Sequence, residues 1–290
     1  MPLARISYGL LTTQNQGGGN KKQGLPPSIG LQSFSRNVIK RRGGCAGCDT
    51  ITEPVEPLYP RVMTSTDNGL TWTIREVASF FWNDVTYGNG IFVALTTDSN
   101  RISGTDRLMT STNGIDWTPR YLSNELTDSE WRSVTYGNGT FVAVASYDSS
   151  AGTYRVMTSP DGINWTGRSN GGLTDSEWIS VTYGNGTFVA VASDVLSAGT
   201  YRVMTSPDGT IWTGRTNGVT DSKWSSVTYG NGTFVAVAYH NETGEQPNVM
   251  TSPDGTIWTG RTNGVTDSKW TEVTYGNGTF VAVNNPQPRG

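Results

Sequence analysis

Two side-chain constellations recur along this 290-residue chain, and both carry recognisable chemistry. The first gathers a hydroxyl, a carboxylate, a glycine and an indole: Ser65, Asp67, Gly69 and Trp72, then Ser159, Asp161, Gly162 and Trp165, with further copies in 108–118, 203–213 and 249–259. Each copy joins two short β-prone runs through a Gly-containing turn. The second is Thr-Asp-Ser-(Glu/Lys)-Trp at 127–131, 174–178, 220–224 and 266–270; the corresponding stretch 74–82 departs from it. Asp128, Asp175, Asp221 and Asp267 with their tryptophans would suit equivalent polar pockets in which indoles stack on sugar. Asx turns that end a loop, each Trp packing one repeat on the next, account for the same pattern more simply.

Asn138, Asn185, Asn231 and Asn277 stand in Asn-Gly-Thr, Asn164 in Asn-Trp-Thr and Asn241 in Asn-Glu-Thr, so six positions carry the N-glycan acceptor pattern. Asn89 lacks it, and turn chemistry alone explains the Asn-Gly pairs. Cys45 and Cys48 fit a short-range disulfide or two plain thiols. A zinc site needs four ligands, so no metal is expected, and no cofactor. His240 is the single histidine, which argues against a His-based metal site or a Ser-His-Asp triad. Arginines mostly repeat (Arg155 with Arg202; Arg168 with Arg215 and Arg261), whereas catalysis needs unlike groups converging at one point. Glu76, Glu125, Glu242, Glu245 and Glu272 do not repeat, but nothing in the sequence brings two of them together. The expectation is that the chain is not an enzyme.

The elements that position these residues are repetitive. WRSVTYGNGTFVAV (131–144) returns at 178–191, 224–237 and 270–283, and as WNDVTYGNGIFVAL at 82–95. Its leading tryptophans, Trp82, Trp131, Trp178, Trp224 and Trp270, are 49, 47, 46 and 46 residues apart. Asn-Gly or Asp-Gly between β-prone runs predicts a hairpin. Two hairpins per period make four strands, the signature of a propeller blade. The body opens on a hairpin of one type (62–73) and closes on one of the other (270–283). The expected fold is therefore all-β: a five-bladed β-propeller closed by pairing of its N- and C-terminal half-blades, with an extended N-terminal arm. The domain reading is 1–58 for a basic arm and 59–290 for the propeller.

The Ser-x-Asp-x-Gly-x-x-Trp element resembles the Asp-box of sialidases and related propellers; later copies are one residue shorter, and Asn113 replaces the Asp in the second. The whole unit resembles the YGNGxFVAV…TSPDGxxW repeats of bacterial, phage and large-virus proteins. The resemblance covers about four-fifths of the chain and implies fold rather than activity. A sialidase site would require three arginines around the substrate carboxylate and a Tyr/Glu pair, whereas most arginines here repeat. Blade number and repeat length also resemble the five-bladed tachylectin-type lectins, without their motifs.

Composition agrees with β-structure: 36 Gly, 10 Trp, and only 16% charged residues. No apolar run is long enough for a membrane-spanning helix, and the opening residues lack a signal-peptide pattern. Residues 1–58 carry seven basic and three acidic groups, net +4, and the rest is net −7. In the arm, Ala4, Ile6, Tyr8 and Leu10 alternate as on a half-buried strand. Ile29, Leu31, Phe34, Val38 and Ile39 form a second apolar patch. Such a segment cannot bury enough surface alone to offset its ordering entropy, so docking on another subunit is expected. The arm's cations lack interleaved aromatics, and nucleic acid is not the expected partner. The functional expectation is a non-enzymatic structural subunit of a filament or virion surface, extracellular, assembling as a homo-oligomer or polymer through its arm. The alternative is a multivalent glycan-binding propeller.

Overall fold

The computed structural model describes residues 61–77, 81–97, 106–127, 129–146, 154–169, 173, 176–195, 201–216, 222–241, 247–262 and 269–284. All of them fall in the second of two compact units, Leu58–Gly290. The arm residues from Ala4 to Ile39, Cys45 and Cys48 lie outside the described residues, as do Asp128, Asp175, Asp221 and Asp267.

Each repeat builds one antiparallel sheet. The first complete sheet contains β3 (Trp82–Gly88), β4 (Ile91–Thr96), β5 (Asp106–Ser111) and β6 (Thr118–Tyr121). The second contains β7 (Glu130–Gly137), β8 (Thr140–Ser146), β9 (Val156–Ser159) and β10 (Thr166–Arg168). The third is β11 (Ser176–Gly184), β12 (Thr187–Val195), β13 (Val203–Ser206) and β14 (Thr213–Arg215). The fourth is β15 (Ser222–Gly230), β16 (Thr233–Asn241), β17 (Val249–Ser252) and β18 (Thr259–Arg261). Two half-sheets flank them: β1 (Val62–Thr64) with β2 (Thr73–Arg75), and β19 (Trp270–Gly276) with β20 (Thr279–Asn284). This is an all-β, β-propeller arrangement.

Local chemistry dictates these hairpins. At the turn of each inner pair Asn adopts φ 47° and the following Gly φ 76–80°, the left-handed pair that a two-residue hairpin of matching twist demands. Across that turn Tyr136 pairs with Phe141 and Gly137 with Thr140, a register that recurs in every copy. The flanking Val-Thr-Tyr and Phe-Val-Ala runs are β-prone, and alternate residues reach opposite faces.

The core lies between successive sheets. Val93, Leu95 and Leu108 of one pack on Phe141, Ala143 and Met157 of the next. Val142, Val144 and Val156 meet Phe188, Ala190 and Met204, and the same trio returns once more as Val189, Val191 and Val203 against Phe234, Ala236 and Met250. A tyrosine ring closes each junction. Tyr136 lies so tightly on Gly88 that a Cβ there would sit 2.0 Å from its Cγ, and Tyr183, Tyr229 and Tyr275 cover Gly137, Gly184 and Gly230 at 2.1 Å. Only glycine admits so close an approach.

The expected closure differs from what is observed. Residues 270–283 do not pair with 62–73; among the described residues the two half-blades stand as separate two-stranded sheets. Each is tied to its own neighbour. Tyr275 sits on Gly230, and Thr64 contacts Gly114, so bringing the half-blades together would mean altering junctions that repeat with the same geometry through the body.

Candidate functional site

The Ser-Asp-Gly-Trp turns are structural. Ser159 Oγ donates to Asp161 Oδ1 (2.8 Å) and accepts the N–H of Gly162 (2.8 Å). Asp161 Oδ1 accepts the N–H groups of Ile163 and Asn164 (both 2.8 Å), and Trp165 Nε1 donates to the carbonyl of Gly162 (3.1 Å). Asp208 and Asp254 accept in the same way. In Asp67 the hydroxyl of Thr71, then its N–H and the hydroxyl of Ser65, hold the carboxyl down to about 2. Burial would raise Asp161, but the N–H groups of Asn164 and Ile163 outweigh it and the carboxyl lies well below its ordinary range. Asp208 and Asp254 are lowered chiefly by the N–H groups of Thr210 and Thr256. The repeated arginines are structural too: Arg168, Arg215 and Arg261 each donate Nε to a threonine Oγ1 on the paired strand (2.8 Å).

Of the four tryptophans in the second constellation, three are enclosed and Trp270 is half-buried. Trp131, Trp178 and Trp224 are 0% exposed, and Trp131 and Trp178 donate Nε1 to the carbonyls of Leu126 (2.9 Å) and Leu173 (3.1 Å). Packing between blades occupies them. Of the candidate glycan acceptors, Asn138, Asn164, Asn185, Asn231 and Asn277 are exposed on turns. The side chain of Asn241 lies outside the described residues.

The body's departure from its own pattern is at β1–β2. In complete blades β9 pairs on one side with β10 and on the other with β8. Its counterpart β1 pairs only with β2, so among the described residues one edge of β1 has no strand beside it. Next to that edge is a cleft of about 690 Å³ whose walls are Arg61–Thr66 and Trp72 on one side and residues of β3, β4 and β5 on the other. Phe92, Ala94 and Met109 line it; their counterparts Phe141, Ala143 and Met157 are packed beneath the preceding sheet. Val85 and Tyr87 on β3 are 56% and 57% exposed. No residue of β19–β20 lines the cleft. That hairpin has its own uncovered face, with Val281 and Val283 53% and 54% exposed. At its end, a Cβ on Gly276 would meet nothing within 4 Å.

Sequence reasoning missed the cleft, because Val85, Tyr87 and Phe92 look like their buried counterparts. It also missed a column of inner-strand residues. Ser133, Ser180 and Ser226 each accept the N–H of the next blade's valine, Val181, Val227 and Val273 (3.2 Å). Asp84 does the same for Val134 (2.8 Å) and also accepts from Val85 (2.8 Å). Burial pushes the Asp84 carboxyl up against those bonds and the hydroxyl of Ser133, and the negative charge of Glu272 adds to the rise. Glu272 itself accepts from Ser226 Oγ (2.6 Å). The signal was legible: aligned repeats give Asp84, Ser133, Ser180, Ser226, Glu272, acidic only in the first and last copies.

No family model and no curated protein sequence matches the chain. Solved structures do. YCF48 bound to D1 peptide superimposes with a TM-score of 0.52 at 16% identity, the match covering 77% of this chain and 68% of that one. Streptogramin B lyase gives 0.57 at 10%, covering 72% and 65%. Virginiamycin B lyase from Staphylococcus aureus gives 0.57 at 12%, covering 76% and 68%. The chain thus spans about two thirds of the length of these β-propeller proteins. The likeness is one of fold, and it overturns the expectation that symmetry excludes an enzyme, since two of these propellers are lyases. The physical reason is that a repeating backbone does not force repeating side chains. Here Asp84 and Glu272 occupy a serine column, and the charge of Glu272 adds to the rise at Asp84. Among the described residues no helix is long and apolar enough to cross a membrane.

Proposed function

We propose that this propeller is a structural subunit that assembles with copies of itself into a filament or on a virion surface, its basic N-terminal arm docking on a neighbouring body. One observation carries this: among the described residues the first blade is incomplete, with an apolar cleft beside an unpaired edge of β1, and Met63, Trp72, Ile74, Val85 and Tyr87 are all more than half exposed. Contiguous exposed apolar surface of this kind marks an interaction site, and the arm supplies apolar segments with no core of their own. The solved complex of YCF48 with D1 peptide supports the reading that propellers can bind partners. The Ser-Asp-Gly-Trp turns support assignment to the Asp-box class of repeats, and the exposed Asn-Gly-Thr turns support N-glycosylation of an extracellular particle.

The test is Ile6→Asp with Tyr8→Asp in the full chain, followed by electron microscopy and sedimentation. Assembly is expected to be lost while the near-ultraviolet circular dichroism of the tryptophan-rich body is unchanged. Assemblies that survive the double substitution would exclude arm docking. Intact-mass analysis of native material reports the glycans.

A further inference from the structure

We infer that residues 4–10 of a neighbouring copy dock as an added strand on the edge of β1 that has no strand beside it among the described residues, filling the cleft between β1 and the β3–β4–β5 face. The inference rests on the reading that copies assemble through the arm and names the site on which the arm lands.

The geometry of the complete blades specifies what the cleft lacks. In the first complete sheet, β4 pairs beside β5, from Phe92 opposite Ser111 to Leu95 opposite Leu108. From β4, Ile91, Val93 and Leu95 reach the next blade and pack on Phe141, Ala143 and Met157. The equivalents of those three receiving residues are Phe92, Ala94 and Met109, which line the cleft. The missing element is therefore a strand antiparallel to β1 that presents apolar side chains at alternate positions to Phe92, Ala94 and Met109. The arm contains that pattern: Ile6-Ser7-Tyr8-Gly9-Leu10 has the spacing of Ile91-Phe92-Val93-Ala94-Leu95, with a bulky apolar residue at the first, third and fifth positions. Backbone bonds to the edge of β1 would supply affinity and the alternate side chains selectivity, as in other strand additions.

The rival occupant is the chain's own β19–β20 hairpin, whose sequence repeats that of the hairpins filling this position elsewhere. Charge and attachment favour the arm. The hairpin carries Glu272 in the column where the cleft holds Asp84; its charge already disfavours the Asp84 carboxylate, and seating it there would strengthen that repulsion. The arm is net +4 and the body net −7. The hairpin is also engaged on β15, with Tyr275 on Gly230 and the N–H of Val273 on Ser226 Oγ at 3.2 Å.

Complementation in the full chain tests this. One variant, Ile6→Asp with Tyr8→Asp, has a disabled arm and an intact cleft; the other, Val85→Asp, has an intact arm and a disabled cleft. Val85 is more than half exposed, so the acidic side chain is tolerated by the isolated body. Each variant alone is expected to remain monomeric by sedimentation velocity, and the equimolar mixture to form a one-to-one pair and nothing larger. A synthetic peptide of residues 1–12 is expected to bind the arm variant and to lose affinity roughly ten- to a hundredfold for Val85→Asp. If the arm variant dissolves assemblies but Val85→Asp leaves them and peptide binding intact, the arm docks elsewhere: the site is wrong and the assembly reading stands. If neither variant changes assembly, both readings fall. If wild type is monomeric and both variants lower its melting temperature, the arm returns to its own body and the inference is overturned. Gly276→Ala decides the remaining rival: a loss of stability as large as at an internal junction glycine would place the β19–β20 hairpin in the cleft instead.

Discussion

The junction between the first two complete blades and the cleft on the other side of the first blade are built from the same residues in opposite states. At the junction, Tyr136 covers Gly88 and Phe141 is fully buried. At the cleft, Tyr87 is mostly exposed and Phe92 lines an open space, although both rings keep the same tilted contact of 4.6 Å that Tyr136 makes with Phe141. The difference is not in the blade but in what lies against it. The same Val-Thr-Tyr-Gly…Phe-Val-Ala pattern thus forms a core where a neighbouring sheet lies against it and an exposed apolar face where, among the described residues, none does.

The sharpest separation should come from a tryptophan at one position of the turn in both settings. Trp212 is 5% exposed and belongs to the core shared by the second and third complete blades, so Trp212→Ala is expected to destabilise the body by about 3–5 kcal/mol. Trp72 is 55% exposed on the half-blade, and Trp72→Ala is expected to cost under about 1 kcal/mol. Chemical denaturation reads both, and equal losses would mean that the half-blade is as firmly packed as the interior.

Glycine gives the next contrast. A Cβ on Gly184 would sit 2.1 Å from the Tyr229 ring, whereas at Gly276 it meets nothing. Gly184→Ala should therefore cost about 1–3 kcal/mol, as overpacking does, and Gly276→Ala should leave the melting temperature of the arm-disabled subunit unchanged.

Acid is expected to act more gently and on all turns together. Asp67, Asp161, Asp208 and Asp254 have carboxyls lowered by hydrogen bonds made only in the fold. Their unfolded value is about 3.9, so their contribution is present above about pH 4 and is lost as pH falls toward the folded value, about 2 for Asp67. Asp208→Asn should flatten the melting-temperature curve across that window, because an amide oxygen accepts the same N–H groups at every pH. A curve as steep as wild type would place the acid sensitivity elsewhere.

These contrasts show what the sequence could and could not reveal. Strand, turn and blade were legible because Asn-Gly punctuates an alternating pattern of fixed period, and that information is local. The turn at Ser-Asp-Gly-Trp was legible for the same reason, but the hydrogen bonds that its Ser and Asp make within it were not. Closure was not: whether 270–283 reaches 62–73 depends on the angle accumulated over successive tyrosine–glycine contacts, and no single repeat encodes that sum. The cleft was hidden because Tyr87 and Tyr136 differ only in their neighbours. Asp84 and Glu272 were visible as exceptions to a serine column, but the effect of Glu272 on Asp84 follows only from the folded arrangement.

Asp84 sharpens the comparison by the smallest margin, since it is the point where the cleft blade departs from the interior pattern. Its carboxyl is raised mainly by burial. Relative to an unfolded carboxyl it therefore contributes stability at low pH, and that contribution disappears as pH rises through its folded value. At neutral pH the charged group is a liability. Asp84→Ser keeps an acceptor for the N–H of Val134, because Ser133 performs the same service for Val181, and it removes the buried charge. The expected result is a rise in melting temperature of about 1–2 °C at neutral pH that vanishes near pH 3. A fall at neutral pH would show that the second bond of this carboxylate, from the N–H of Val85, outweighs its desolvation. The blade beside the cleft would then need an acidic residue that the interior blades do without.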